Sequence, residues 1–398
     1  MENKSKGDVG EDYVNQLAFR SYLKYWCYPN PKDITGDNKE ICDLLIAFRD
    51  TLILISVKNH SFDGNYERYK KKVIQKSTKQ LNGAERKLFK SNRDVYVKHP
   101  DREAELFDPK KYSKVYKLTI NVGEQFEHYE LSDSESSKGF ISILNKETFE
   151  AIINELDTIK DFVEYLDERE KLLFSDRTVL IKCTERDLLA VFLTNGREFP
   201  NDYTSSQYKE ITLSLEGAWE SYDKSNPALT KRRANKASYY IDNLVQNDIL
   251  KLSDGETLAR ELMNLSRTER RMMANTLFDL VNKYQDQNGV LARRYSVYNG
   301  IGHLIIYYPS EEDESKIDWI LKKALEIYAY KTNYREKEII LLAATRGLKN
   351  PKFGMFVGNP DAPEEAKRTI EELTAKFGWF EDMKVIYHIE KEYPDEQD

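Results

Sequence analysis

The sequence predicts an α/β protein with two domains, and three observations support this prediction. Apolar residues at helical spacing alternate with short runs rich in Ile, Leu and Val along most of the chain. The length of 398 residues exceeds that of an average single domain. An apolar fraction of 40% and an aromatic fraction of 12% are sufficient for packed cores.

Composition excludes several classes of protein. No apolar run approaches the roughly 18–20 residues that cross a bilayer, and the first residues lack the apolar core of a signal peptide. The three cysteines, Cys27, Cys42 and Cys183, are far apart and show no paired metal spacing. This pattern is typical of a reducing compartment and not of a disulfide scaffold. We therefore expect a cytoplasmic protein with no membrane partner.

The first 130 residues predict a compact α/β unit, a mixed sheet flanked by helices. Apolar residues three to four positions apart indicate a helix over residues 8–25. Two apolar runs, residues 41–48 and 52–57, are joined by Arg49-Asp50-Thr51, a length suited to a tight β-hairpin. Both runs are nearly continuous, as in strands that are covered on both faces. The remaining predicted elements are a helix over residues 67–89 and strands over residues 115–122 and 141–144.

The rest of the chain predicts a helical connection and a larger mixed α/β domain. An amphipathic stretch over residues 146–172 assigns residues 131–177 to the connection, so the second domain covers residues 178–398. Ser266 and Glu269 have the spacing of a capping box. The predicted helices of this domain are residues 188–193, 234–250, 256–264, 266–284, 316–330 and 363–377, and the predicted strands are residues 303–308, 338–344 and 384–389.

Charge is distributed unevenly along the chain. Residues 58–98 contain twelve basic and four acidic residues, a net charge of +8, although the whole chain carries −7. The remainder therefore carries −15. A basic segment in an acidic protein is expected at a site that binds a polyanion, but a solvated basic helix face accounts for the charge equally well.

Motifs of several common enzyme classes are absent from the sequence. There is no phosphate-binding P-loop, no Gly-x-Ser-x-Gly nucleophile turn and no His-Glu-x-x-His zinc motif. The five histidines are spread along the chain, which argues against a histidine-rich metal site.

One ordered set of polar residues stands in the N-terminal unit. Glu11 lies on the first predicted helix, Asp43 within the first strand of the hairpin, and Lys58 at the end of the second strand. Because side chains alternate along a strand, Ser56 and Lys58 share one face. Pairing of the two strands brings Asp43 beside Lys58, a lysine that is costly to bury unless it has a partner or a function.

This order of residues resembles the PD-(D/E)XK nuclease superfamily, which has the restriction-endonuclease-like fold. The resemblance runs from about residue 10 to Lys58 and extends to Gln80 on the following helix. It implies that Asp43 is a ligand of Mg²⁺, or of Mn²⁺ in its place, and that Glu11 is an accessory carboxylate. It also implies that Lys58 orients the attacking water and that Gln80 assists.

The chain departs from the pattern of this superfamily two residues before Lys58. Ser56 stands where the superfamily has a second acid, and Mg²⁺ generally requires one or two carboxylates. Glu40 or Glu11 could supply the missing carboxylate. The expected metal ligands are therefore Asp43, Glu11, Glu40 and Ser56. The sequence leaves open both a conditionally active nuclease and an inactive one. A separate alternative is that Asp43 and Lys58 form a purely structural ion pair.

The predicted basic helix would bind the phosphate backbone without sequence preference. The resemblance implies DNA as the substrate, although RNA stays open because nothing in the sequence reads a 2′-hydroxyl group. The residues expected to contact nucleic acid are Arg68, Lys70, Lys71, Lys72, Lys76 and Lys79.

The resemblance implies a metal-dependent DNA endonuclease. A nuclease joined to a large accessory domain resembles effectors of bacterial anti-phage defence, in which the C-terminal domain senses a protein partner or an activating ligand. A homo-oligomer is also compatible with the sequence. The alternative is a catalytically inactive nuclease-fold protein that serves as a nucleic-acid-binding or complex-assembly subunit.

Overall fold

The structure, a computed structural model, describes residues 5–36, 38–123, 132, 139–174, 177–361, 363–380 and 391–395. The chain divides into two compact units, Met1–Leu229 and Thr230–Asp398. Each unit contains β-sheets flanked by helices, which confirms the predicted α/β class. Among the described helices, none combines the length and the apolar character needed to cross a membrane.

The first unit is built around a five-stranded sheet. Its helices are α1 (Lys6–Tyr22), α2 (Tyr66–Tyr69), α3 (Lys76–Phe89), α4 (Lys146–Glu155), α5 (Ile159–Leu173), α6 (Glu185–Thr194), α7 (Asn201–Thr204) and α8 (Ala218–Asp223), while α9 (Asn226–Ala234) contains the division point. Its strands are β1 (Cys27–Pro29), β2 (Leu44–Phe48), β3 (Thr51–Lys58), β4 (Tyr96–Val97), β5 (Glu105–Leu106), β6 (Lys114–Asn121), β7 (Ser142–Asn145), β8 (Thr178–Ile181) and β9 (Glu210–Leu213). A π-helical segment, Lys70–Gln75, joins α2 to α3.

Strand β3 lies at the centre of the sheet, whose order is β1-β2-β3-β6-β7. The pairs β1–β2 and β2–β3 are antiparallel, and the pairs β3–β6 and β6–β7 are parallel. The predicted hairpin is confirmed, with Arg49 at a φ of 52° in its turn. On one face Leu52 and Leu54 pack against Leu81 and Leu88 of α3. Because β3 and β6 are parallel, their carboxyl ends lie side by side. This is the edge of the sheet at which α/β proteins commonly place their binding sites.

The predicted single helix over residues 146–172 is in fact two helices, α4 and α5. The chain leaves the helical conformation at Leu156, and the Thr158 hydroxyl accepts a hydrogen bond from the backbone N–H of Asp161. A side chain that caps the first turn in this way starts a new helix. The apolar spacing continued across the break, so periodicity alone did not reveal it.

Residues 178–229 pack within the first unit, whereas the sequence pattern assigned them to the second domain. Helix α6 lies against α4 and α8. The buried guanidinium group of Arg169 on α5 donates to the carboxylate of Glu185 on α6 and to the hydroxyl of Ser142 on β7. The division by contacts consequently falls after Leu229.

The second unit contains a four-stranded sheet of order β10-β11-β12-β13. Its strands are β10 (Ala292–Tyr298), β11 (Ile301–Tyr307), β12 (Glu338–Ala344) and β13 (Lys352–Val357), and its helices are α10 (Tyr239–Asn247), α11 (Gly255–Met263), α12 (Arg267–Tyr284), α13 (Glu314–Lys331) and α14 (Glu364–Phe377). The middle pair is parallel and the outer pairs are antiparallel. The predicted capping box at Ser266 and Glu269 is confirmed. The predicted strand over residues 384–389 lies outside the described residues.

Candidate active site

Asp43 lies at the amino end of β2, one residue outside the strand in which it was expected. Its backbone N–H donates to the carbonyl of Ile55 at 3.2 Å, so the pairing with β3 continues through this residue. Its Oδ2 accepts a hydrogen bond from the backbone N–H of Val57, and its Oδ1 accepts one from Nε2 of Gln80 at 2.7 Å. The side chain is 7% exposed. The carboxylate is therefore held in one orientation between β3 and α3.

Lys58 brings its ammonium group to the same point. Its Nζ lies 3.5 Å from Oδ2 of Asp43 and donates to Oγ of Ser56 at 2.6 Å and to Oε1 of Gln80 at 3.0 Å. It also lies 2.9 Å from the carbonyl of Val57. Burial lowers the pKa of Lys58, and the charge of Asp43 opposes that shift. The ammonium group is thus desolvated and surrounded by acceptors.

Ser56 and Gln80 complete this hydrogen-bonded cluster. The Ser56 hydroxyl accepts from Lys58 and donates to Oε1 of Gln80 at 3.0 Å. The Gln80 amide thereby accepts on its oxygen and donates from its nitrogen to Asp43. The structure brings Asp43, Ser56, Lys58 and Gln80 together in this one cluster.

Glu11 and Glu40 add negative charge around Asp43. Glu40 is exposed as a residue, but partial burial of its carboxyl group, the neighbouring Asp43 side chain and the charge of Glu11 raise its pKa to about 7. Burial and the charge of Asp43 also raise the pKa of Glu11, while a hydrogen bond from Asn30 lowers it. The three carboxyl groups are therefore close enough to repel one another.

The donors that this site offers to a divalent cation are carboxyl oxygens. Within the described ranges, no group of three or more His, Cys, Asp and Glu side chains is arranged to hold a metal ion. The charge of Asp43 nevertheless raises the pKa of Glu40, so these two carboxyl groups lie near each other. Carboxylates that are forced together take up either a proton or a cation, and oxygen ligands of this kind suit Mg²⁺. Of the expected metal ligands, Asp43 and Glu40 act on each other directly, and Glu11 interacts electrostatically with both carboxyl groups.

The predicted nucleic-acid-binding residues lie on α2, on the π-helical segment and on α3, the helix that carries Gln80. Lys71, Lys72, Lys76 and Lys79 are exposed and form no ion pair with any residue the structure describes. The positive charge of Lys76 lowers the pKa of Lys58, so Lys76 lies close to the cluster. Arg68 instead pairs with Asp63 at 2.5 Å, and Lys70 is half-buried. Lys71 and Lys72 lie in the π-helical segment and Lys76 follows it directly. Segments of this kind are often found at functional sites.

The sequence did not identify two polar residues that lie beside the cluster, Asn121 and His60. Asn121 is the partner of Lys58 in the β3–β6 ladder, and its side chain binds the backbone of His60. A polar residue ending an apolar strand was the available signal for Asn121. Its significance depends on strand pairing, which local sequence does not reveal.

Comparisons with protein-family models, with curated proteins and with solved structures returned no match for this chain. A functional proposal therefore depends on the residues of the cluster and on their geometry.

Proposed function

We propose that this protein is a metal-dependent endonuclease of the PD-(D/E)XK type that acts on DNA. The observation that carries the proposal is the convergence of Asp43, Lys58 and Gln80 in one buried cluster at the carboxyl edge of β3. The exposed lysines of the adjoining helix support it, because a phosphodiester substrate requires positive charge beside the reacting group.

In this proposal Asp43 and Glu40 hold the cation, with Glu11 as an accessory carboxylate. A bound Mg²⁺ would lower the pKa of a coordinated water and neutralise phosphate charge. The hydrogen bonds from Val57 and Gln80 orient the Asp43 carboxylate toward a fixed position.

Lys58 acts on the reacting phosphate. Its buried ammonium group stabilises the negative charge that develops on the phosphate oxygens, an effect that is strong where water is excluded. Gln80 and Ser56 hold the ammonium group in place by accepting its hydrogen bonds. The same chemistry could cleave RNA, since no residue of the cluster identifies a sugar.

The biological setting we propose is bacterial anti-phage defence, with the second unit regulating the nuclease. It rests on the joining of a nuclease-like unit to a second α/β unit, which is analogy at the level of architecture. Expression of the wild-type chain and of Lys58→Ala in phage-challenged bacteria tests it: protection that depends on Lys58 supports this role, and equal plaque counts contradict it.

The direct test is cleavage of plasmid, linear duplex and single-stranded DNA by the purified chain. Mg²⁺ or Mn²⁺ should permit cleavage and a chelator should abolish it. Asp43→Ala and Lys58→Ala should each reduce the rate by at least about 10²–10³-fold. Lys322→Ala removes an exposed lysine of the second unit and serves as the matched control. Undiminished cleavage by both site variants would show that the site is wrongly assigned.

A second candidate is a catalytically inactive nuclease-fold subunit that binds nucleic acid or assembles a complex. Ser56 favours it, because this fully buried residue supplies a neutral hydroxyl already engaged with Lys58 and Gln80. Ser56→Glu separates the two candidates. Nicking that appears only in this variant supports the inactive subunit, whereas a wild-type enzyme that cleaves without the added acid supports the nuclease.

A further inference from the structure

Hydrogen bonds made by the Asn121 side chain hold the segment that follows β3 beside the site. The Asn121 side chain accepts from the backbone N–H of His60 at 3.0 Å and donates to the His60 carbonyl at 3.0 Å. The same amide donates to the hydroxyl of Tyr69 on α2 at 3.0 Å. Asn121 is only 4% exposed, so these bonds are shielded from water. The position of His60 is thus set by both the sheet and the basic helix.

Gly123 allows this close approach. A Cβ atom at this position would lie 2.3 Å from the carbonyl oxygen of His60, which is backbone and cannot rotate away. The segment that carries His60 is therefore packed against the end of β6 in a way that only glycine permits.

The imidazole of His60 lies within the electrostatic influence of three lysines. It is half-buried, and its ring makes no hydrogen bond to any residue in the described part of the chain. Burial, together with the charges of Lys72 and Lys76, lowers the pKa of His60, and Lys58 acts in the same direction. Asp63 is the acid that opposes this effect, and it is already paired with Arg68.

Lys72 and Lys76 lie four residues apart on the helix whose Tyr69 contacts Asn121. Both are exposed, and neither forms an ion pair within the described ranges. Among the described residues, the arrangement places two ammonium groups and the imidazole together, and Asp63, the acid that acts on His60, is already paired with Arg68. The two ammonium groups repel each other, and a bound anion would relieve that repulsion.

We propose that His60, Lys72 and Lys76 form a phosphate-binding subsite beside Lys58, which holds a backbone phosphate adjacent to the one that is cleaved. The identity of the ligand as nucleic acid rests on the proposed function, whereas the anion-binding chemistry does not. His60 contributes a hydrogen bond from its ring N–H, and the lysines contribute charge. Asn121 is a positioning residue that acts through His60.

The subsite predicts a difference in salt dependence that separates its members. Affinity for a fluorescein-labelled DNA duplex is measured by anisotropy in EDTA, so that cleavage does not interfere, over about 50–200 mM salt. The double variant Lys72→Ala/Lys76→Ala should reduce the slope of log affinity against log salt by about 2. His60→Ala should weaken binding about tenfold without changing the slope, since hydrogen bonds to charged groups have this magnitude. His60→Asn, which retains an N–H donor, should recover part of the loss, and Lys322→Ala should match the wild type.

A second measurement distinguishes failure of the subsite from failure of the proposed function. The ring resonances of His60, assigned with His60→Asn, are followed in the wild-type chain during titration with inorganic pyrophosphate. A pyrophosphate-induced shift of the His60 resonances that disappears in the double lysine variant supports the subsite. If that shift is seen but no nucleic acid binds, the subsite stands and only the nuclease proposal is contradicted. If His60→Ala binds duplex as tightly as the wild type, or if neither duplex nor pyrophosphate moves the His60 signals, the subsite is refuted and the nuclease proposal is untouched.

Discussion

Replacing Arg169 with methionine should destabilise the first unit by about 3–5 kcal/mol, because it leaves a buried carboxylate without its cation. The side chains of Arg169 and Glu185 are both 0% exposed. Nε of Arg169 lies 2.5 Å from Oε1 of Glu185, and Nη2 lies 3.0 Å from Oε2. Nη1 also donates to the Ser142 hydroxyl at 2.8 Å. After the change, the Tyr165 hydroxyl still donates to Oε1 of Glu185 at 2.6 Å.

The double variant Arg169→Met/Glu185→Leu should be more stable than Arg169→Met alone. It removes both charges and hence the cost of burying an unpaired one, and a buried pair is often replaced by apolar side chains at little net cost. The difference in stability between the single and the double variant separates the cost of the unpaired charge from the cost of lost packing volume.

Hydrogen–deuterium exchange followed by mass spectrometry is the suitable assay, because a chain of two units need not unfold in one step. Amides of β7 and α6 should both exchange about 100-fold faster or more in Arg169→Met, since each tenfold change corresponds to about 1.4 kcal/mol. If the β7 amides kept the wild-type rate while those of α6 did not, α6 would not be an integral part of the first unit, and the reasoning from this ion pair would fail.

Three further changes test other parts of the molecule. Burial lowers the pKa of His303 to about 4, below its unfolded value of about 6.5. The second unit should therefore lose about 3 kcal/mol of stability as the pH falls from 6.5 to 4, and denaturation of His303→Leu should lack this component; an unchanged pH profile would contradict burial of a neutral ring. Gly123→Ala should lower stability by about 1–3 kcal/mol, measured by thermal unfolding, and should weaken duplex binding, because its Cβ collides with the His60 backbone. Gln80→Leu should slow DNA cleavage and cost about 1–3 kcal/mol in chemical denaturation, since it leaves Asp43 and Lys58 without their shared amide, and wild-type values of both quantities would refute its bridging role.

Local patterns in the sequence were sufficient to predict the β2–β3 hairpin and the long basic helix. Each depends on neighbouring residues: a pair of apolar runs around a short turn, and apolar positions at helical spacing. The edge strands β10 and β13 were not predicted. Their residues are mostly half-buried, so they lack the continuous apolar run that marked the central strands β11 and β12.

The contacts of the candidate site also differ in whether the local sequence could predict them. The order of Asp43, Ser56 and Lys58 in a hairpin indicated from sequence that they would meet, because antiparallel neighbours are close in the chain. Asn121 and His60 are 61 residues apart and meet through the parallel pairing of β3 with β6. A parallel pair needs a long crossover connection, and nothing in the local sequence states its register. The sequence alone therefore determined that the polar residues of the hairpin meet, because they are close in the chain. The contacts that orient His60 and that join α6 to the first unit arise only when distant segments pack together.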